Sequence, residues 1–326
     1  MYEAHFGLAE NPFGGNPDPR FLFLSEIHQE ALAHLVYGIR QRKGFIVITG
    51  DVGTGKTTLL HKLLQGLDAR TRAVFISNPR LTADDFLRTI AKGFGLQLPA
   101  PFSKAEVLFG LEEMLREALQ RRENVLLVVD EAQNLSTELL EEVRLLSNLE
   151  TASEKMLQIV LVGQQELNDK LLQPNLRQLR QRVSIKYHLE PLGCEDTRRY
   201  ILHRLAVAGG DEVLFSYEAL REIYRASQGF PRLINNICDN ALLTAYSRDL
   251  RRVDDRLVCE TLRDIEASYP RQVKPPEASP PAPAAPADGR WYFFGALAVF
   301  VLALLALLAL SYNLWGGLGP LLSVVH

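Results

Sequence analysis

One stretch constrains this chain more than any other: Gly50-Asp51-Val52-Gly53-Thr54-Gly55-Lys56-Thr57. It has the spacing G-x-x-x-x-G-K-T of a phosphate-binding loop. The apolar run Phe45-Ile46-Val47-Ile48 enters it as a buried strand, and Leu59-Leu60-His61-Lys62-Leu63-Leu64 leaves it as an amphipathic helix. A glycine-rich turn carrying one solvated lysine would not need those flanks. The glycines let backbone N–H groups curl around a triphosphate, and the helix N-terminus adds positive partial charge. Gly50, Val52, Gly53, Thr54, Gly55 and Thr58 are therefore candidate nucleotide contacts. Lys56 is expected to reach the β- and γ-phosphates, and Thr57 to coordinate Mg2+. ATP and Mg2+ are the expected ligands.

A second constraint follows downstream. Val125-Leu126-Leu127-Val128-Val129 is apolar throughout and ends in Asp130-Glu131. A parallel strand covered on both faces must be apolar at every position. Its C-terminal end opens at the ligand crevice of an α/β sheet, where carboxylates are useful. Asp130 is the expected metal residue, and Glu131 the residue that polarises the attacking water. A further apolar strand, Leu157–Val162, ends at Gly163-Gln164-Gln165, and Gln164 is placed to bond the γ-phosphate or the lytic water.

The remaining strands are Ala73–Ser77 and Ser184–Leu189, with helices over 26–41, 82–94 and 104–121. Ser25, Thr82 and Ser103 are N-cap candidates. On the first helix Ile27, Ala31, His34 and Leu35 share one face. Before it, residues 1–24 are aromatic and turn-rich, with no secretory leader pattern. Two readings of this arm stay open: it packs on the body, or it presses against the adenine ring. Just ahead of the last strand lie Arg177, Arg180 and Arg182. They form a basic face, a nucleic-acid patch, or a source of an arginine finger for a neighbouring subunit, because an Arg fork suits developing phosphoryl charge. Arg182 is the first choice and Arg180 the second.

After residue 190 strand patterns vanish. Helices are expected at about 195–208, 216–227, 231–247 and 254–266, forming a small lid. Pro231 suits a first helical turn, and Arg232 beside it is placed to reach the γ-phosphate. Residues 270–289 are a Pro- and Ala-rich linker that stays extended. Residues 290–312 hold an uncharged apolar run flanked by Trp291, Tyr292, Tyr312 and Trp315, which reads as one transmembrane helix. Arg271, Lys274 and Arg290 before it, and no charge from 311 to 325, put the preceding domain in the cytoplasm. Residues 313–326 then form a short periplasmic tail. The net charge of −3 does not suggest a chain built around nucleic acid. Cys194, Cys238 and Cys259 are isolated, so neither a disulfide framework nor a zinc site is expected.

Strands alternating with helices, followed by a helical lid, look like the AAA+ architecture. The specific resemblance rests on an ordered set of motifs. These are Tyr2…His5-Phe6-Gly7-Leu8…Asn11-Pro12-Phe13…Pro17-Asp18-Pro19-Arg20-Phe21-Leu22, the phosphate loop, Val128-Val129-Asp130-Glu131-Ala132-Gln133, Leu161-Val162-Gly163-Gln164, Leu179-Arg180-Gln181-Arg182-Val183 and Gly229-Phe230-Pro231-Arg232-Leu233-Ile234-Asn235. Together they are similar to the general secretion pathway protein A (GspA/ExeA-type) secretion ATPases over roughly residues 1–267. The resemblance implies an α/β AAA+ domain over 1–190 with a five-stranded parallel sheet and a helical lid over 191–269. It implies an inner-membrane ATPase that assembles or energises an envelope export machine of type II secretion, pilus or exopolysaccharide kind. It further implies a homo-oligomer, a GspB-like inner-membrane partner or other envelope-complex proteins, and an arginine finger in trans. Carried over, Lys56 and Thr57 are Walker A, Asp130 and Glu131 Walker B, Gln164 sensor 1 and Arg232 sensor 2. Asn78 is the candidate for the polar residue that restrains the Walker B glutamate in related ATPases. Many members continue into a peptidoglycan-binding domain; here few residues follow the span, so direct wall binding is not expected. Gln165 stands where the family often has proline.

Two rivals remain. A DNA-binding helper ATPase, of the transposition-regulator type, has local support from Arg177, Arg180, Arg182, Arg248, Arg251 and Arg252. A scaffold that only senses ATP would not need Glu131.

Overall fold

The computed structural model describes residues 1–15, 18–77, 79–97, 103–152 and 154–268. Five strands form one sheet: β1 (Phe45–Gly50), β2 (Thr71–Ile76), β3 (Asn124–Val129), β4 (Leu157–Gly163) and β5 (Val183–Leu189). Their order is β2-β3-β4-β1-β5, and every pairing is parallel. This is the expected α/β fold with five parallel strands.

The apolar strands are explained by two cores. Phe45 and Val47, Leu127 and Val129, Ile159 and Leu161 face one; Ile46 and Ile48, Leu126 and Val128, Val160 and Val162 face the other. Alternation on the pleat means that a sheet covered on both faces must be apolar at consecutive positions. The first core is closed by α3 (Ala83–Gly93), α4 (Lys104–Gln120), α5 (Thr137–Leu146), α6 (Gln165–Leu172) and α7 (Arg177–Arg182). The second is closed by α1 (Glu26–Arg40) and α2 (Lys56–Gln65). β5 differs: Ser184, Lys186 and His188 are exposed, so this edge strand alternates.

Ser25, Thr82 and Ser103 cap their helices through side-chain oxygens, and Ser103 forms a capping box with Glu106. On α1 the inward face differs from expectation. His34 is exposed and His28 buried, because the first turn of α1 sits over the phosphate loop rather than over solvent. The sequence reading places no helix at 137–146 or 165–172. Both stretches are helical and bury Leu139, Leu140, Val143 and Leu146, and Leu167 and Leu171.

A second cluster of helices follows: α8 (Cys194–Val207), α9 (Tyr217–Ser227), α10 (Pro231–Ser247) and α11 (Asp255–Ser268). Its core takes in Tyr2, Leu8, Phe13 and Phe21 from the N-terminal arm. The arm thus packs on the helical lid, where the Tyr2 hydroxyl donates to Asp239 and Asn11 Nδ2 donates to the same carboxylate at 3.1 Å. Arg204 stacks 4.8 Å from the Phe21 ring centre and donates to the Pro12 carbonyl. Among the described residues no helix is long and apolar enough to cross a membrane. The linker at 270–289, the span at 290–312, the tail at 313–326 and Asn78 all lie outside the described residues.

Candidate nucleotide site

The site forms where β1 ends and α2 begins. Thr54 is buried, and its hydroxyl donates to the Asp51 carbonyl at 2.9 Å, closing the loop on itself. Lys56 is buried at the helix start, and its Nζ donates to the Gly50 and Asp51 carbonyls, both at 2.8 Å. Burial holds its ammonium below the ordinary lysine value. A cation folded onto loop carbonyls, with little water around it, is primed to exchange them for stronger anionic acceptors. Val52 is exposed at the loop tip, and Thr58 is half-buried.

Thr57 and Asp130 come from different elements and meet. The Thr57 hydroxyl donates to Asp130 Oδ2 at 2.8 Å. Asp130 is 3% exposed, and burial pushes its carboxyl above the ordinary value despite the bonds from Thr57 and from the Glu131 N–H. A buried carboxylate beside a hydroxyl is a hard-oxygen donor pair suited to Mg2+. The residues present therefore fit the ion.

Glu131 has left-handed backbone, φ 51°, an uncommon state for a residue with a side chain. Its carboxylate accepts from two glutamines: Gln133 Nε2, and Gln164 Nε2 at 3.4 Å. Gln133 also accepts the Gln164 N–H at its Oε1, at 3.0 Å. It therefore ties the end of β3 to the end of β4. Sequence reasoning missed Gln133; the only signal was its place after Asp130-Glu131-Ala132.

Arg232 opens α10, and a Cβ added at Gly53 would lie 3.0 Å from Arg232 Cβ. The lid helix thus stands directly on the loop. Arg232 itself is exposed, free to extend over the loop. Gly50, Val52–Thr58, Asp130, Glu131, Gln164 and Arg232 therefore converge.

Arg180 and Arg182 do not join them. Val183 pairs with Phe45, at the start of β1, whereas the loop leaves from its end at Gly50. At about 3.3 Å per residue this puts α7 roughly 17 Å along the sheet from the loop. Arg182 is half-buried, and its guanidinium donates to the Ser147 carbonyl at 3.0 Å, capping α5. Arg180 is exposed and makes no side-chain bond among the described residues.

Beside the loop lies a cleft of about 240 Å3. Phe21, Leu22 and Phe23 of the arm line one side, and Tyr200 and Arg204 of the lid another. Thr58, His61, Lys62 and Gln65 of α2 form its floor. Of the two readings of the arm, the structure shows packing on the body: Phe21 lies in the lid core, and it also borders the cleft.

This fold and this convergence of residues define a P-loop AAA domain. Residues 39–171 match the family described as AAA domain. Among solved structures, a chain of Drosophila ORC bound to DNA is similar at TM-score 0.60 and 22% identity, over 80% of this chain and 66% of that one. The Aeropyrum pernix ORC2 protein is similar at TM-score 0.57 and 17% identity, over 78% and 71% of the two chains. Identities this low speak for the fold alone.

More particularly, the chain is a homologue of general secretion pathway protein A. It is 46% identical to that protein from Aeromonas hydrophila over 257 residues. The match covers 78% of this chain and 46% of the relative, so the chain spans about half the relative's length.

Proposed function

We propose that this chain is a membrane-anchored AAA+ ATPase, which uses ATP binding and hydrolysis to assemble or energise an envelope export machine. The observation that carries the ATPase part is the Thr57–Asp130 pair, 2.8 Å apart, with Glu131 adjoining it beneath the loop. In this reading the loop N–H groups and Lys56 take the phosphates, and Lys56 leaves the Gly50 and Asp51 carbonyls to do so. Thr57 and Asp130 would hold Mg2+, which would supply charge neutralisation on the β- and γ-phosphates. Glu131 orients the attacking water and accepts its proton. Gln133 and Gln164 hold the Glu131 carboxylate, and Gln164 also senses the γ-phosphate. The adenine enters the cleft between Phe21–Phe23 and Tyr200, where aromatic and aliphatic walls suit a flat base. Arg232 contacts the γ-phosphate from the lid.

The finger is assigned to Arg180 of a neighbouring subunit in a homo-oligomer. Arg182 is spent on capping α5, and neither arginine lies near its own chain's loop. Of the six arginines that favour a DNA-binding role, Arg182 caps Ser147, Arg248 pairs with Glu260 and Arg251 donates to the His5 carbonyl. Half the basic set is thus engaged internally, which favours the export reading.

Anchoring rests on the uncharged run within residues 290–312, joined through the linker at 270–289 to an ATPase domain at 1–190 and its lid at 191–269. A cytoplasmic ATPase domain follows from the flanking charges, and the inner membrane is carried over from the similarity to general secretion pathway protein A. A GspB-like protein or another envelope component is the proposed partner. Two measurements test the reading. The full chain in membranes should hydrolyse ATP with Mg2+ and lose this with Lys56→Ala. Crosslinkers placed in the span should capture inner-membrane envelope proteins. Capture of nucleoid proteins alone would overturn the export role.

A further inference from the structure

His28 takes no part in the chemistry above, yet it touches the phosphate loop. It lies in the first turn of α1 and is 5% exposed. Its Nδ1 is 2.7 Å from Ser25 Oγ, and its Nε2 is 3.0 Å from the Thr54 carbonyl oxygen. That carbonyl can only accept, so Nε2 carries the proton and Nδ1 accepts from the Ser25 hydroxyl. The His28 backbone N–H meets the same Ser25 oxygen at 3.4 Å, so the serine caps the helix and orients the ring together.

We propose that His28 is a positioning residue for nucleotide binding, which sets the Thr54–Gly55 peptide of the phosphate loop; the inference rests on the nucleotide reading of that loop. The argument is geometric. In a trans peptide the carbonyl and the following N–H point in opposite directions. Holding the Thr54 carbonyl outward on His28 turns the Gly55 N–H inward, toward the space the phosphates would fill. A Cβ at Gly55 would lie 2.9 Å from His28 Nε2, so this peptide is wedged between the imidazole and the loop. Gly55 has φ 96° and is the N-cap residue of α2.

The same residue joins two parts of the fold. Phe21, just upstream, is buried in the lid core, while His28 is buried with its Nε2 on the Thr54 carbonyl of the loop. The chain from Phe21 to His28 therefore runs from the lid to the loop, with His28 at the contact.

The test is ATP affinity, measured by calorimetry on the full chain in detergent, with folding checked by thermal melting. Loss of one oriented N–H donor from a preorganised anion cradle corresponds to roughly 3- to 10-fold weaker binding. His28→Leu keeps volume but not the donor and should show that loss. His28→Gln places an amide donor at similar reach and should recover affinity to within about twofold of wild type. A merely structural histidine would give the two variants equal affinity and differ only in Tm. If His28→Leu does not fold, His28→Asn carries the test, since its amide is too short to reach Thr54 and it should bind as weakly as expected for the leucine. Wild-type affinity in the leucine or asparagine variant, or glutamine binding no better than they do, would overturn the proposal. Failure of the wild-type chain to bind ATP, with Lys56→Ala indistinguishable from it, would instead overturn the nucleotide reading.

Discussion

Replacing Gly53 by alanine tests the placement of the lid on the phosphate loop. Two separable penalties arise. Gly53 has φ 86°, and an L residue there costs about 1–2 kcal/mol. The new Cβ would also stand 3.0 Å from Arg232 Cβ, well inside ordinary contact. Relieving it requires α10 or the loop to give way, at about 1–3 kcal/mol for overpacking. The sum, about 2–5 kcal/mol, corresponds to a Tm lower by about 10 °C for a domain of this size. The second penalty belongs to the pair and the first to the loop alone. Arg232→Gly removes the opposing Cβ in the first turn of α10, where glycine is well tolerated. A double-mutant cycle should therefore return a coupling of about 1–3 kcal/mol, with about 1–2 kcal/mol of strain left in the double variant. Melting of the four proteins without nucleotide gives the cycle. A coupling near zero, or a Gly53→Ala chain as stable as wild type, would show that the lid does not rest on the loop.

Glu131→Gln should bind ATP with near wild-type affinity and turn it over at least about 100-fold more slowly, the usual scale for losing a general base; unchanged hydrolysis would remove Glu131 from that role. Arg180→Ala should leave ATP binding intact and abolish hydrolysis in the oligomer, with activity partly restored on mixing with Lys56→Ala chains. Arg182→Ala should instead cost about 1 kcal/mol of stability through loss of the α5 cap. Asp130 has its folded pKa above the ordinary value of 3.8, so the fold favours its neutral form. That contribution is full below 3.8 and is lost as pH rises through the raised folded value. Nucleotide-free Asp130→Asn should therefore melt higher than wild type near neutral pH, with the difference vanishing in acid, while losing Mg2+-dependent hydrolysis.

Much of the fold could be read from local pattern. Runs such as Val125–Val129 and Leu157–Val162 are apolar at consecutive positions because helices cover both faces of the sheet, and Ser25, Thr82 and Ser103 announce their helices by chemistry within four residues. The helix at 137–146 carries local signals of its own, Ser136 capping at Leu139 and the spacing Leu139, Val143, Leu146, whereas the helix at 165–172 has no side-chain cap. His34 and His28 show the limit of periodicity: both fit an amphipathic α1, and only the loop lying under the first turn selects His28.

By itself, the sequence determined the strand–loop–helix around Gly50–Thr57, the Asp130-Glu131 strand end and the switch to a helical lid. Each is carried by residues close in the chain, whose spacing limits the conformations open to them. Tertiary structure alone decided the rest. It set the strand order β2-β3-β4-β1-β5, which brings Thr57 to Asp130 and Gln164 to Glu131. It also separated Arg182, bound to Ser147, from exposed Arg180, although both looked alike as nearby basic residues. Such contacts join residues tens to hundreds of positions apart. Their energies depend on burial and orientation, which no local spacing encodes.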